Sequence, residues 1–254
     1  MSSEIIKLSI SEFVNLILHN DAERFEFLKR DEKPNINKLL NKLIPNLLLY
    51  RKNRRQQVHN ILVNDFARGD AEKVYECVNN VIDLVYFSDE ELDCLKVTVW
   101  LRPSQKNMAA FDEIENSEAE ITCQNPAVYI RGLLNEYSRL PQYKREQILF
   151  NNELENFNTA CQTGRIFRAS VNGKSLRLFA FSHVYEYTYS QKNYLISYDI
   201  SNNFIGAIPL YKIRNEYLPE KKYKPSPRLI EALQEYYEGN QYEDIVKYTE
   251  EESC

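Results

Sequence analysis

The chain has 254 residues, enough for two or three compact units; 43% hydrophobic and 27% charged residues give the balance of an ordinary globular protein rather than a disordered one. No apolar run reaches the roughly 18 residues needed to cross a bilayer, and five Cys at 77, 94, 123, 161 and 254 stand too far apart for a disulfide framework or a paired-cysteine metal site. Six Gly leave neither GxGxxG nor GxxxxGK[ST], which excludes the common dinucleotide and P-loop phosphate cradles. A cytoplasmic protein with reduced thiols, no cofactor and no membrane partner is expected.

The net charge of −5 hides segregation. Lys plus Arg against Asp plus Glu runs 11 to 7 over residues 1–60, 9 to 18 over 61–159, 11 to 4 over 160–228 and 1 to 8 over 229–254. Two basic blocks between acidic ones fit nucleic-acid binding, and solvated helix faces would produce the same counts.

Along the chain, Ile6, Leu8 and Ile10 alternate with Lys7 and Ser9, the period of a strand with one buried face. Ser11 can cap a helix carrying Phe13, Leu16 and Ile17, and Asn35 can cap another whose stripe is Leu39, Leu40, Leu43 and Ile44. "YRKNRR" puts Arg51, Arg54 and Arg55 near a helix end, where they suit phosphate contact or simply complement the helix dipole. Residues 56–87, with Val74, Val78, Val81, Ile82 and Val85 in helical period, read as a helical connector.

The order then returns. Val97, Val99 and Leu101 alternate with Lys96, Thr98 and Trp100; Pro103 and Ser104 open a helix; Asn125 and Pro126 begin another. At an offset of 90, Asn35 matches Asn125, Leu39 matches Tyr129, Leu40 matches Ile130, Leu43 matches Leu133 and Ile44 matches Leu134. A short strand cannot satisfy its own edges, so two copies should pair. This pattern resembles the ribbon-helix-helix family, whose paired strands face a nucleic-acid groove. The resemblance implies a tandem pseudo-dimer over residues 1–164, with Lys7, Ser9, Thr98 and Trp100 facing outward where that family places its base-contacting side chains.

From Arg165 the period becomes two. "RIFRASV", Asn172-Gly173 and "SLRLFAFS" form a hairpin signal, and "VYEYTYS", "NYLISYD" and "FIGAIPL" follow as strands. Five strands in so short a stretch predict a small barrel. Here the chain resembles a WYL domain, an Sm-like or SH3-like barrel named for a Trp-Tyr-Leu triplet. Tyr194 and Leu195 match its last two letters while Asn193 stands for the Trp; Ser197-Tyr198-Asp199 and Lys212-Ile213 match further motif positions. The resemblance implies a sensor or effector module binding an anionic ligand near Arg177, His183 and Lys212. On the residues themselves, Arg168, Arg177, His183, Tyr194 and Lys212 are candidates for an anionic groove. Tyr185, Tyr187, Tyr189, Tyr194 and Tyr198 offer rings for base stacking or for ordinary strand packing.

Two Pro then close the barrel, and a helix through Leu229, Ile230, Leu233, Tyr236 and Tyr237 carries an apolar stripe that needs a partner, from which a homodimer is expected. The fold class expected is α+β: a tandem ribbon-helix-helix domain (1–164), a five-stranded WYL β-barrel (165–223) and a C-terminal helical dimerisation segment with an acidic tail (224–254). This order is similar to that of WYL accessory proteins of type VI-D CRISPR systems. It implies a protein that binds single-stranded RNA and stimulates an RNA-guided RNA nuclease. The alternative is a ligand-responsive transcription regulator whose ribbon binds DNA. Three His (His19, His59, His183) fall in separate segments at no metal spacing, and Cys161 with His183 makes a weak nucleophile pair, so neither a metal site nor catalysis is expected.

Overall fold

A computed structural model describes residues 5–66, 95–115, 125–185, 191–239 and 246–247. The chain divides into two compact units, Met1–Leu140 and Pro141–Cys254, both mixed α/β with antiparallel sheets. Most of the connector expected at 56–87, together with Tyr187, Tyr189 and the acidic tail, lies outside the described residues.

In the first unit, β1 (Ile6–Ser11) pairs antiparallel with β2 (Lys96–Leu101), and the register sets Lys7 opposite Trp100, Leu8 opposite Val99 and Ser9 opposite Thr98. Leu8, Ile10 and Leu101 are buried, whereas Lys7, Lys96, Thr98 and Trp100 are exposed, so the alternation in the sequence separates a core face from a solvent face. Helix α1 (Glu12–Arg24) starts where the Ser11 hydroxyl accepts from the Val14 N–H at 3.3 Å. Helix α2 (Ile36–Phe66) starts where Asn35 Oδ1 accepts from the Lys38 N–H at 3.0 Å. After β2 a 3-10 turn (Gln105–Asn107) leads into the short helix α3 (Met108–Glu113). In α4 (Pro126–Arg139) Asn125 Oδ1 accepts from the Ala127 N–H at 2.8 Å.

Both stripes matched at offset 90 are buried: Leu39, Leu40, Leu43 and Ile44 in α2, and Tyr129, Ile130, Leu133 and Leu134 in α4. Each second helix touches the strand of the other half, α4 against β1 and α2 against β2, so neither half buries its stripe alone. The halves are also laced by side-chain amides. Pro45 inside α2 has no N–H for the Asn41 carbonyl, and the Asn107 side-chain amide donates to that carbonyl instead. Asn41 Nδ2 donates to the Arg102 carbonyl at 2.9 Å, and Asn37 Oδ1 accepts from the Arg102 N–H at 2.8 Å, fixing the chain as it leaves β2.

The second unit begins with α5 (Gln142–Leu149) and α6 (Asn151–Thr163), which ends at Gly164 in the left-handed region with φ 67°. These helices fall with the sheet that follows, not with the first unit as the 1–164 boundary expected, because α6 packs on that sheet; the edge of the Phe157 ring meets Phe167 at 5.4 Å. The sheet has six strands in the order β7-β3-β4-β5-β6-β8: β3 (Ile166–Val171), β4 (Lys174–Tyr185), β5 (Asn193–Asp199), β6 (Phe204–Pro209), β7 (Ile213–Tyr217) and β8 (Val246–Lys247). The Asn172-Gly173 turn has φ of 50° and 78°, the double positive pair of a type I′ hairpin.

The closed five-stranded barrel is corrected to an open sheet: among the described residues no ladder joins the edge strands β7 and β8. An irregularity between Ala180 and Ser182 lets β4 run on to Tyr185, absorbing the start of the strand expected at "VYEYTYS".

Helix α7 (Pro227–Glu238), capped by the Ser226 hydroxyl on the Leu229 N–H at 3.2 Å, covers the sheet face opposite α6. Its Leu229 and Leu233 are buried among Phe179, Ile196, Tyr198, Ile205 and Ala207. Each such leucine contributes about 1.5–3 kcal/mol by burial. Of the stripe from which a dimer was expected, Leu229 and Leu233 are covered within their own unit and Tyr236 partly so, while Ile230 and Tyr237 stay exposed.

Candidate nucleic-acid interface

The sheet brings Arg168 and Arg177 together as direct cross-strand partners of β3 and β4. Tyr217 on β7 is the other neighbour of Arg168: its hydroxyl accepts from Arg168 Nη1 at 2.9 Å, and the guanidinium lies 5.7 Å from the ring centre. Tyr217, Arg168 and Arg177 thus form one row across three strands, with Tyr217 52% exposed.

Two like charges directly opposed on a sheet repel, and here no carboxylate intervenes. Among the described residues neither Nε has a hydrogen-bond partner, and the Arg177 side chain has no ion pair. Beyond β7 the chain continues beside the start of β3, with Arg165 bridged to Lys222 and the Ile166 N–H donating to the Lys221 carbonyl at 3.0 Å. That course adds exposed Lys221, Lys222, Lys224 and Arg228 to the sequence following the row, against Glu216 and Glu220. Guanidinium forks suit phosphate oxygens, and an exposed phenol offers a stacking face.

The other expected site residues lie elsewhere. His183 is on the opposite sheet face from Arg177, in a polar network under α5 centred on Asn193. Asn193 is fully buried; its N–H and Nδ2 donate to Glu146 Oε2 at 2.9 and 2.8 Å, and Nδ2 also donates to the Tyr143 carbonyl at 2.8 Å. Asn193 Oδ1 accepts from Gln147 Nε2 at 2.8 Å and faces His183 Nε2 at 3.0 Å, while Glu146 Oε1 accepts from the Tyr211 N–H at 3.2 Å. Burial pushes the His183 pKa down, with Lys144 adding to the effect and the Asn193 hydrogen bond opposing it. Burial thus favours the neutral imidazole, whose described hydrogen bond goes to this network. The position where the WYL triplet has Trp is a hydrogen-bonding hub.

Tyr194 packs against the α7 cluster. Because Arg177 is level with Ile200, just past the end of β5, Tyr194 stands six residues back along the chain, about 20 Å. Tyr198 is buried and donates to Asn203 Oδ1 at 2.8 Å, and Tyr185 stacks on Tyr143 at 4.7 Å. Lys212 ends the 3-10 turn Leu210–Lys212 with its ammonium 5.3 Å from the Tyr211 ring centre. Of the five residues expected to line a groove, the sheet register brings Arg168 and Arg177 directly together. Sequence reasoning missed Tyr217 and the Lys221–Lys224 run, although "EYLPEKKYKP" carries both; that segment read as the end of the barrel.

In the first unit, Arg51, Arg54 and Arg55 lie inside α2 rather than near its end. Arg51 is 3% exposed, with its guanidinium 5.2 Å from the Tyr129 ring centre, and Arg54 pairs with the buried Glu136 at 3.8 Å. Burial pushes the Glu136 carboxyl up from its ordinary value, while Arg51, Arg54 and Arg55 pull it back. Lys7 and Ser9 face outward on the ribbon, with the Lys7 ammonium 5.7 Å from the Trp100 ring centre.

Burial pushes the Cys161 thiol up to about 12, which keeps it protonated near neutral pH and unsuited to nucleophilic work. Among the described residues no His, Cys, Asp or Glu cluster has the arrangement to hold a metal ion, and no helix is long and apolar enough to cross a membrane.

No family model matches the chain. No curated protein matches it. Among solved structures the chain is similar to a CRISPR Cas-related protein known from a crystal structure, with a TM-score of 0.60 and 13% identity, covering 98% of this chain and 69% of that one. At this identity the likeness is one of fold.

Proposed function

We propose that the protein is a non-catalytic accessory factor of a CRISPR system that binds single-stranded RNA and stimulates the RNA-guided nuclease of that system. The observation that carries the reading is the Arg168–Arg177 pair: two arginines directly opposite on neighbouring strands, beside the exposed Tyr217 ring. A phosphodiester relieves their repulsion and a base stacks on the phenol. The Lys221–Lys224 run extends the cationic track. Fold likeness to a CRISPR Cas-related protein supports the biological setting. The two paired strand-helix-helix halves support the ribbon-helix-helix resemblance, and the hairpin-rich sheet bearing Tyr194-Leu195 supports the WYL one.

In this reading the protein breaks no bond; it holds unpaired RNA near the nuclease and raises its local concentration. Affinity for labelled single-stranded RNA, followed by fluorescence anisotropy, falls steeply with salt because bound phosphates release counterions. Arg177→Ala weakens binding of all sequences alike and flattens the salt slope by about 0.7 for each phosphate that is no longer neutralised. Absence of RNA binding at low salt, or wild-type affinity in a folded Arg168→Ala/Arg177→Ala protein, overturns the proposal. A second reading, a ligand-responsive transcription regulator, is favoured by the outward polar face of the β1–β2 ribbon. Recovery of a defined duplex DNA site by selection supports that reading instead.

A further inference from the structure

We infer that the acidic residues following β8 cover the Arg168–Arg177 row and compete with RNA for it, so that the chain carries its own reversible inhibitor. The displaced ligand rests on the RNA reading above; the contact itself is argued from strand register, reach and charge.

The ladders fix where the acidic tail starts. Phe179, Tyr198, Ile205 and Val246 stand level across β4, β5, β6 and β8, and the next row along is Leu178, Asp199, Phe204 and Lys247. Beyond that row comes Arg177, whose carbonyl accepts from the Ile200 N–H at 2.8 Å and whose partner on β3 is Arg168. Strand β8 runs from Val246 to Lys247, toward the arginines, and ends one residue short of their level. The arginines are also on a face that the same strands define. Phe179 and Ile205 pack in the cluster under α7, and Arg177, two residues before Phe179 on β4, shares their face.

After Lys247 the sequence is YTEEESC, with Glu250, Glu251 and Glu252 and no basic residue. Three strand spacings separate β8 from β4, about 14 Å, and four separate it from β3, about 19 Å. Five extended residues carry Glu252 about 17 Å past Lys247, and the long Arg and Glu side chains span what remains. Among the described residues neither arginine has an ion pair, and exposed Lys221, Lys222, Lys224 and Arg228 add charge of the same sign. A carboxylate meets a guanidinium fork as a phosphate does, and a short tether holds it at a roughly millimolar effective concentration. Pairs between exposed charges are weak and screened by salt, which suits a cover that a longer polyanion displaces.

The test compares the full chain with Glu250→Gln/Glu251→Gln/Glu252→Gln, which keeps the length, and with a chain lacking residues 248–254. Affinity for an end-labelled, U-rich single-stranded RNA is read by anisotropy at low and high salt. Apparent affinity scales with the fraction of protein whose row is open. Both variants should therefore bind about 3- to 10-fold more tightly at low salt, and the gain should fade at high salt. In an Arg168→Ala/Arg177→Ala background the gain should vanish. Without RNA, the Nε–H resonances of the two arginines in isotope-labelled protein should move between the wild type and the triple variant. Equal affinities with unmoved arginine resonances overturn this inference and leave the RNA reading standing. A gain that survives loss of both arginines also overturns it, since the tail would then repel RNA at large. Arginine resonances that move in a chain binding no RNA at low salt support the contact and overturn the RNA reading instead.

Discussion

The arginines of α2 and those of the β3–β4 hairpin lie in the two basic blocks of the chain and differ in what the fold sets beside them. Arg51 and Arg54 meet a buried carboxylate, Glu136, and Arg51 also lies against the Tyr129 ring. Arg168 and Arg177 are cross-strand partners, Arg168 donates to the phenol of Tyr217, and among the described residues Arg177 has no ion pair. The first group is partly offset by a carboxylate inside the unit, with Arg51 buried; the second has no described counter-charge and lies at a partly exposed face. Clustered basic residues are therefore weak pointers to binding until their counter-charges are known.

The largest effect expected from this comparison is on stability. Arg51→Ala leaves the buried Glu136, which pairs with Arg54, with one nearby cation fewer and strips the guanidinium from the Tyr129 ring, at a cost of about 1–3 kcal/mol. Trp100 lies in the same unit, so its emission follows the unfolding. The urea midpoint should drop while RNA affinity of the folded protein stays unchanged. Loss of RNA affinity without loss of stability would break the comparison, since it would make Arg51 a ligand contact.

For Arg177 the signs reverse. Arg177→Ala removes a repulsive cross-strand pair, so hydrogen-exchange protection of β3 and β4 should hold or rise by roughly 0.5 kcal/mol, while RNA binding weakens. A loss of protection would show that the guanidinium packs structurally and would remove the reason to treat the pair as a binding site.

This contrast also marks how far the sequence could be read. The repeat was legible because its signals are local: a capping Asn35 or Asn125, then apolar positions at helical spacing, reappearing at an offset of 90. Ribbon pairing followed from the need to cover two short edges. Arg168 and Arg177 were nameable as cations, but their being opposed depends on hairpin register, which the Asn172-Gly173 turn sets. What could not be read is long-range. The carboxylate beside Arg54 lies 82 positions away in the chain at Glu136, the partner of Asn193 is 47 positions away at Glu146, and the cover for Leu229 is a sheet face that no spacing announces. The barrel failed for a similar reason, since strand closure depends on where edge strands end.

The smallest effect concerns His183, the one expected ligand residue that the fold turns to the opposite sheet face. Burial lowers its pKa from 6.5, so the fold favours the neutral ring while the unfolded chain takes up a proton first. About one pH unit or more above 6.5 the ring is neutral in both states and adds no pH dependence. As the pH falls below that value toward the folded pKa, the unfolded state gains protons that the folded state refuses, and the second unit loses stability. His183→Gln keeps an amide N–H for Asn193 Oδ1 and does not titrate. Hydrogen exchange of β4 and β5 in the wild type should therefore lose more protection from about pH 7.5 to about pH 5.5 than in the variant. RNA affinity at the higher pH should agree within about twofold between the two proteins. Equal pH sensitivity would mean that the ring is not the titrating group. A clear loss of affinity in the variant would put RNA on the α5 side of the sheet, and the cationic row on β3 and β4 would then have to be read as structure.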